Sequence, residues 1–209
     1  MIERAAAGFI TFLARAITAV RGEWRGVGPD LAPRIYFANH TSNGDFLLIW
    51  TALPAPLRAR TRPVAAADYW QKDRLRRFVG ARVFRAVLIE REAVSRTRNP
   101  IPQMAAALDE GASLILFPEG TRNLTEEALL PFKSGLYHLA RLRPEIALVP
   151  VWIANLNRVM PKGELIPVPL ICTVAFGPPL ALREGERKAA FLERAQAALL
   201  ALRQGRETP

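Results

Sequence analysis

The chain contains little cysteine, histidine or lysine, and each scarcity excludes a class of protein. Cys172 is the single cysteine among 209 residues, so no disulfide can form within the chain. No cysteine–histidine set has the spacing of a zinc site, and a reducing compartment is the simplest expectation. Because Cys172 lies in the apolar run VPLICTVAF, we interpret it as a buried core thiol rather than a nucleophile.

The chain also lacks an uninterrupted apolar run of the ~20 residues that a membrane-spanning helix requires. The best candidate, residues 1–20, is interrupted by Arg15. A helical wheel places its apolar residues on one side and its polar residues on the other, with Ile2, Phe9, Leu13, Ala16 and Val20 opposite Arg4, Thr11, Arg15 and Thr18. This pattern predicts an amphipathic helix with a narrow basic stripe.

Three interpretations of this helix remain open. A cleaved secretory signal is opposed by Glu3 and Arg15. A helix that packs on the core is the ordinary alternative. The basic stripe and the two phenylalanines favour a helix that lies in a membrane interface. We therefore predict a membrane-interface helix over residues 1–22 and one further domain over residues 23–209.

Lysine is scarce, but arginine makes the chain basic. Lysine and arginine together number 29 against 19 acidic residues, a net charge of +10, and only four of the 29 are lysines. Arginine suits bidentate contacts to phosphate, so nucleic acid, an anionic membrane and a phosphorylated small molecule are all possible partners. The basic segment 58–85 faces either anionic lipid, an acidic carrier protein or solvent.

Strand-like and helix-like segments alternate along the rest of the chain. Strands are predicted at 34–38, 62–68, 85–91, 112–117, 146–153 and 170–176, and helices at 45–53, 70–80, 101–111, 131–142 and 184–204. Residues 161–170 are predicted to form a turn or short hairpin. The alternation predicts a single α/β domain, with a mixed, largely parallel sheet flanked by helices and an amphipathic helix at its N-terminus.

Polar motifs follow three of the predicted strands. His40 comes after strand 34–38, Arg91 closes strand 85–91, and the motif FPEGTR (117–122) follows strand 112–117. In α/β sheets, ligands bind beyond the carboxyl ends of the strands. If these strands are parallel, the three motifs lie at one edge of the sheet.

His40 and Asp45 are separated by the turn-forming residues Thr-Ser-Asn-Gly. A loop there would let Asp45 accept a hydrogen bond from one imidazole nitrogen and leave the other nitrogen as a base. The alternative is a polar turn that caps a helix, with His40 incidental. Thr41 and Ser42 are weaker candidates for an enzyme nucleophile, because no G-x-S-x-G context surrounds them. His138 has no carboxylate at helical spacing and is predicted to be structural.

The motif FPEGTR has the composition of an anion site. Pro118 and Gly120 favour a tight turn with exposed N–H groups, while Thr121 and Arg122 offer a hydroxyl and a guanidinium. Arg91 would add a second guanidinium. We interpret Glu119 as a brace for the loop or an arginine, or as a contact to a substrate hydroxyl. A structural turn with a surface ion pair is the alternative.

Together, NHTSNGD (39–45) and FPEGTR resemble the paired signature blocks of the glycerolipid acyltransferase family. VLIER, which ends at Arg91, LVPVW (148–152) and PFKSG (131–135) also resemble blocks of that family, in the same order. The chain departs from the family at Asn43 and Gly44, and we expect one N-terminal helix in place of the family's two-helix membrane anchor.

The resemblance implies transfer of a fatty acyl group from acyl-CoA or acyl carrier protein to a lysolipid hydroxyl. The favoured acceptor is 1-acylglycerol-3-phosphate, with another lysophospholipid or an amino-acid lipid as the alternative. The resemblance implies that His40 is the general base and that Asp45 orients it. It also implies that Glu119 supports the site and that the acceptor's phosphate is bound by Arg91, Gly120, Thr121 and Arg122. No metal or bound cofactor is implied.

The implied partners are a membrane surface, a lysolipid and, as a donor, acyl carrier protein, but no nucleic acid. The implied location is the cytoplasmic face of the membrane, as a peripheral or monotopic protein. A basic protein that binds nucleic acid or membranes without catalysis is the alternative from another class. It offers no reason for the pairing of the two motifs.

Overall fold

One seven-stranded sheet organises the chain. The computed structural model describes residues 1–90, 99–154 and 172–204. The strands are β1 (Arg21–Trp24), β2 (Arg34–Ala38), β3 (Thr61–Ala66), β4 (Val87–Ile89), β5 (Ser113–Leu116), β6 (Ala147–Ala154) and β7 (Thr173–Phe176). They lie in the order β1-β7-β6-β2-β5-β3-β4, and every neighbouring pair is parallel except β6 and β7. The predicted α/β fold with a mixed, largely parallel sheet is confirmed.

Helices cover both faces of the sheet. They are α1 (Ile2–Thr18), α2 (Asp45–Ala52), α3 (Ala55–Arg60), α4 (Ala67–Trp70), α5 (Arg74–Phe78), α6 (Ile101–Asp109), α7 (Gly135–Leu142) and α8 (Lys188–Gln204), with a π-helical turn at Val79–Val83. Side chains of β2 alternate between two apolar layers, as strand geometry requires. Ile35 and Phe37 pack with α6, α7 and α8. Tyr36 and Ala38 pack with α2 and with partly buried residues of α1.

Several boundaries differ from the sequence prediction. The short elements β1 and α3 were not predicted. The helix predicted at 70–80 is broken into α4, α5 and the π-helical turn, because Asp73 accepts the N–H of Arg76 at 2.8 Å and starts a new helix. The helix predicted from residue 131 begins at Gly135, because the N–H of Lys133 binds the carbonyl of Pro118 instead.

Two predictions concern parts of the chain outside the described residues. The strand predicted at 85–91 is present as β4, but Arg91 itself is not described. The turn or hairpin predicted at 161–170 also lies outside the described residues. Cys172 lies within them, is fully buried and belongs to the core layer beside α2, as its apolar surroundings predicted.

The first helix packs on the protein through the side that carries Thr11, Ala14 and Thr18. Thr11, Ala14 and Thr18 are buried, and α1 lies against α2 and the π-helical turn. Ile10 and Ile17 are partly buried against the core layer beside α2. The other large side chains point away from the protein, with Ile2 73 %, Phe9 66 %, Phe12 70 % and Leu13 45 % exposed. An ordinary core-packing helix would bury that side. In the described part of the chain, no helix has the length and apolar character needed to cross a bilayer.

Candidate active site

The loop between β2 and α2 brings His40 and Asp45 together. The imidazole Nδ1 of His40 lies 2.8 Å from Oδ2 of Asp45. The same oxygen accepts the backbone N–H groups of Thr41, at 2.6 Å, and Ser42, at 2.8 Å. Asp45 is fully buried and His40 is 9 % exposed. The predicted contact is therefore present, and it leaves Nε2 as the ring nitrogen available to a ligand.

The register of the sheet places His40 beside Glu119. Phe37 of β2 is paired with Leu116 of β5, and His40 and Glu119 each lie three residues further along. The carboxylate of Glu119 accepts the N–H of His40 at 2.8 Å through Oε1 and the N–H of Leu130 at 2.8 Å through Oε2. Both oxygens thus bind backbone, which matches the brace interpretation of Glu119.

The Glu119 carboxyl is 2 % exposed. Burial raises its pKa above the usual range, while the two N–H donors and the nearby His40 act in the opposite direction. The loop after Glu119 is also tied to the histidine, because the N–H of Asn123 donates to the carbonyl of His40 at 2.6 Å. The backbone at His40 is therefore held by both its N–H and its carbonyl.

Asn39 and Phe117 also position His40, and neither was among the predicted site residues. The Asn39 side chain accepts the N–H of Ile153 at 2.8 Å and donates to its carbonyl at 3.0 Å, which continues the pairing of β2 with β6. The ring of Phe117 stacks on the imidazole at 4.2 Å between centroids. The signal for both residues was their place in the motifs, directly beside His40 and at the end of β5.

The 117–122 loop makes the predicted tight turn. Gly120 has φ +69° and its N–H binds the carbonyl of Phe117 at 3.0 Å. A Cβ at Gly120 would lie 2.8 Å from Cδ of Lys133, whose side chain crosses the loop. The sequence assigned no role to Lys133 beyond its place in PFKSG. In the structure, its ammonium group lies beside the 117–122 loop. Arg122 is exposed.

Two cavities adjoin at the carboxyl edge of the sheet. The smaller measures about 350 Å³, and its lining includes His40, Phe46, Asp68, Tyr69, Trp70 and Arg122. The larger measures about 940 Å³, and its lining includes Ile101, Met104, Lys133, Leu136, His138 and Leu142. They share the wall formed by Ile89, Leu116, Phe117, Gly120 and Thr121. A small polar cavity with a histidine thus opens beside a larger, mostly apolar one.

The sheet edge therefore assembles most of the predicted site. His40, Asp45, Glu119, Gly120, Thr121 and Arg122 surround the smaller cavity or support its walls. Arg91 lies outside the described residues, so its place at this edge stays a prediction. Within the described ranges, no cluster of three or more histidine, cysteine or acidic residues could hold a metal ion.

Comparison with known proteins gives consistent matches. The family model described as Acyltransferase matches residues 27–154. The chain is 31% identical over 156 residues to a 1-acyl-sn-glycerol-3-phosphate acyltransferase of Cocos nucifera, covering 74% of this chain and 48% of the relative. It is 29% identical over 142 residues to the protein of the same name in Haemophilus influenzae, covering 62% and 53%. The chain spans about half the length of these curated relatives.

A solved structure has a similar fold. It is the crystal structure of the 1-acyl-sn-glycerophosphate (LPA) acyltransferase PlsC from Thermotoga maritima, which superposes with a TM-score of 0.73. The match covers 99% of this chain and 82% of that chain, at 17% sequence identity. At 17% sequence identity, this similarity shows the fold alone.

Proposed function

The chain belongs to the acyltransferase family, and from this premise we propose that it transfers a fatty acyl group from a thioester to a lysolipid hydroxyl. The favoured acceptor is 1-acylglycerol-3-phosphate, which would become phosphatidic acid. The names of the curated relatives support this acceptor. Another lysophospholipid or an amino-acid lipid is the alternative. The observation that carries the proposal is the His40–Asp45 contact at the wall of a cavity that Arg122 also lines.

In the proposed reaction, Nε2 of His40 removes the proton from the acceptor hydroxyl. The hydroxyl oxygen attacks the thioester carbonyl carbon, and the tetrahedral intermediate collapses with loss of the thiolate. The imidazolium then returns its proton to the departing sulfur. Asp45 stabilises the imidazolium through Nδ1, and a general base of this kind contributes about 10²–10⁴-fold to a rate.

The 117–122 loop is the proposed site for the acceptor phosphate. Gly120, Thr121 and Arg122 line the cavity that contains His40. Thr121 and Arg122 offer hydroxyl and guanidinium donors, while Gly120 forms the tight turn that carries them. Arg91 would supply a further guanidinium. Glu119 would act through the backbone of His40 and Leu130, which it binds. Its proposed role is to hold the two motifs at a fixed distance rather than to contact the lipid.

The larger cavity is the proposed site for the acyl chain. Its volume of about 940 Å³ and its apolar side chains suit a hydrocarbon, which gains ~0.8 kcal/mol for each buried CH₂ group. The wall shared with the smaller cavity would place the thioester carbon near His40. A thioester is already activated, so the proposal requires no metal and no bound cofactor. The donor is acyl-CoA or acyl carrier protein.

The exposed apolar side of α1 is the proposed membrane contact. Ile2, Phe9, Phe12 and Leu13 are available to lipid while the opposite side of the helix packs on the protein. Arg15 is directed towards α2, where it donates to the carbonyl of Thr51 at 3.5 Å. The exposed apolar side of α1 and the reducing compartment expected from the single cysteine together favour peripheral attachment at the cytoplasmic face.

An acyl-transfer assay tests the reaction. The full chain would be supplied with palmitoyl-CoA or palmitoyl acyl carrier protein and with 1-acylglycerol-3-phosphate, and phosphatidic acid would be measured. We expect His40→Ala to lower kcat by about 10²–10⁴-fold while the thermal unfolding curve keeps its cooperative shape. Glu193→Gln is the control, because Glu193 is exposed on α8 and lies in neither cavity lining, and it should leave kcat unchanged. Undiminished transfer by His40→Ala would remove the base assignment.

Vesicle binding tests the membrane contact separately. The double variant Phe9→Ser/Phe12→Ser removes two exposed rings without touching the buried side of α1. We expect it to bind vesicles of anionic phospholipid at least tenfold more weakly than wild type, because both rings are large, apolar and about two-thirds exposed. Leu124→Ser removes a similarly exposed side chain outside α1 and is the control. Equal binding by the double variant and wild type would contradict the proposed contact.

A further inference from the structure

Two arginines converge on one carbonyl oxygen at the end of α2. The guanidinium of Arg15, from α1, donates to the carbonyl of Thr51 at 3.5 Å, and the guanidinium of Arg58, from α3, donates to the same oxygen at 3.4 Å. The carbonyls of a last helical turn lack partners within the helix, and cations are favoured there. One donor is enough to satisfy that carbonyl. The second guanidinium places a like charge beside the first, which capping of the helix does not require.

Arg58 is held in this position by its surroundings. It is half-buried, and its guanidinium lies 5.4 Å from the ring centroid of Trp50, which is 3 % exposed. Burial lowers the pKa of Arg58 below its usual range, and the charge of Arg15 lowers it further. The two cations therefore repel each other where water screens only part of their charge. A bound anion would relieve this repulsion.

The two guanidiniums have the donors that a phosphate group needs. The contact with Thr51 uses one nitrogen of each side chain, although a guanidinium carries several N–H donors. Arginine forms paired, charge-assisted hydrogen bonds to phosphate oxygens. Because the donating nitrogens of Arg15 and Arg58 lie against the same oxygen atom, they are close enough together for one phosphate to accept from both side chains.

The pair lies at the edge of the exposed apolar side of α1. Arg15 follows Phe12 by three positions, so the two side chains are neighbours on the helix surface. Arg15 is exposed, and Phe12 is 70 % exposed. When Phe12 enters the apolar layer of a membrane, the two guanidiniums come to the depth of the lipid headgroups. A phosphate at that depth is part of a phospholipid.

We propose that Arg15 and Arg58 bind the phosphate of an anionic phospholipid and thereby fix how α1 lies on the membrane surface. This inference rests on the proposed membrane contact of α1 and adds a headgroup site beside it. Neither arginine is in the lining of the cavity that contains His40, so the site is distinct from the proposed acceptor site. Phosphatidylglycerol suits the site because its headgroup carries a phosphate and no cation.

Substitution by lysine tests the site without changing the net charge. We expect Arg15→Lys/Arg58→Lys to bind vesicles of phosphatidylcholine mixed with phosphatidylglycerol about three- to tenfold more weakly than wild type, because an ammonium replaces the paired donors of each guanidinium. Arg15→Gln/Arg58→Gln should lose more, about ten- to a hundredfold, since it also removes both charges. The matched control is Arg4→Lys/Arg60→Lys, which changes two exposed arginines on the same two helices and should leave binding unchanged.

The outcomes separate this site from the membrane contact on which it rests. Equal binding by wild type and Arg15→Lys/Arg58→Lys would mean that diffuse charge alone attracts the protein, and it would overturn the site. An equal loss in the control pair would overturn it as well. Wild type that binds neither phosphatidylcholine vesicles nor the mixed vesicles would overturn the membrane contact itself. Lysine can still donate to the Thr51 carbonyl, so the lysine variant is expected to fold, and its thermal unfolding would be recorded beside wild type.

A soluble phosphate is the alternative source of the anion. Inorganic phosphate and coenzyme A would each be added to wild type and to Arg15→Gln/Arg58→Gln, and the melting temperature would be measured. We expect no difference between the two proteins in their response to either compound. If either compound stabilises wild type alone, and the two proteins bind the mixed vesicles equally, the site belongs to a soluble ligand and the lipid assignment is wrong.

Discussion

The two cavities at the sheet edge share one wall, but the rest of their linings differ in chemical character. Residues after β2 and β3 give the smaller cavity a histidine, a carboxylate and aromatic rings, and Arg122 after β5 adds a guanidinium. The larger cavity takes its lining from the apolar sides of α6 and α7, with Lys133, His138 and Arg141 among its polar members. Under the proposed function, the difference means that the 117–122 loop separates the site where the hydroxyl is activated from the site where the acyl chain is buried. We predict effects for changes in the smaller cavity, in the shared wall, in the larger cavity and at a pair remote from both.

The largest effect is expected from Asp45→Asn, in the smaller cavity. Asparagine keeps an oxygen for the N–H groups of Thr41 and Ser42, but it removes the charge that stabilises the imidazolium. We expect kcat to fall by about 10²–10⁴-fold with both acceptors and with donors of every chain length. Steady-state kinetics would measure this. Asp30→Asn, which alters an exposed Asx turn elsewhere, is the control.

Gly120→Ala changes the wall between the cavities. Its φ of +69° costs an alanine about 1–2 kcal/mol, and the new Cβ would push Lys133 aside. We expect kcat/KM to fall by about 10–100-fold, because a shift of the loop displaces groups from both cavities.

Gly111→Ala is the matched control for strain. Gly111 has φ +80° and nothing within 4 Å of an added Cβ, and it lies in neither cavity lining. It should lose similar stability and keep its activity. If the two glycine variants lose equal activity, backbone strain alone explains the loss in Gly120→Ala. That result would contradict a role for the loop in separating the cavities.

Leu142→Trp narrows the larger cavity. Leu142 lines it and is 45 % exposed, so a bulkier ring has room to enter without disturbing the core. Exclusion of two methylenes at ~0.8 kcal/mol each predicts a roughly tenfold loss of kcat/KM for a long acyl donor and little change for a short one. Leu31→Trp, at a 50 % exposed leucine outside both cavities, is the control. Equal losses for short and long donors would place the acyl chain elsewhere.

The smallest effect concerns a pair remote from both cavities. Hydrogen bonds from Arg194 lower the pKa of Glu186 from 4.5 to about 2. The folded state thus favours the carboxylate, and this stabilisation is complete above pH 4.5 and is lost as the pH falls towards 2.

Denaturant unfolding of Glu186→Gln checks this pair. Relative to wild type, we expect the variant to be less stable by about 1 kcal/mol near neutral pH, since solvent screens the pair, and the difference should vanish near pH 2. Activity per folded molecule should not change, because Glu186 lies in neither cavity lining. A stability difference that persists at pH 2 would show that the charge is not its source.

Sequence patterns predicted the long elements well and the short ones poorly. Buried strands such as β2 and β5 were predicted because apolar runs bounded by turn residues persist whatever surrounds them. The four-residue β1 and six-residue α3 carry too little periodicity to be distinguished from loops. The segment 70–80 has a helical composition, but Asp73 caps a new helix inside it. The start of α7 was misplaced because Lys133 binds Pro118, a tertiary contact.

By itself, the sequence determined the α/β fold, the His40–Asp45 pairing and the tight turn at Gly120, because each depends on local residue types and their spacing. Only the tertiary structure decided that Glu119 binds the backbone of His40, since the register of β2 against β5 sets them side by side. It also decided that α1 exposes its apolar side, and that Asp68 shares a cavity with His40. Those outcomes depend on which surfaces meet when distant segments pack, and local patterns do not contain that information.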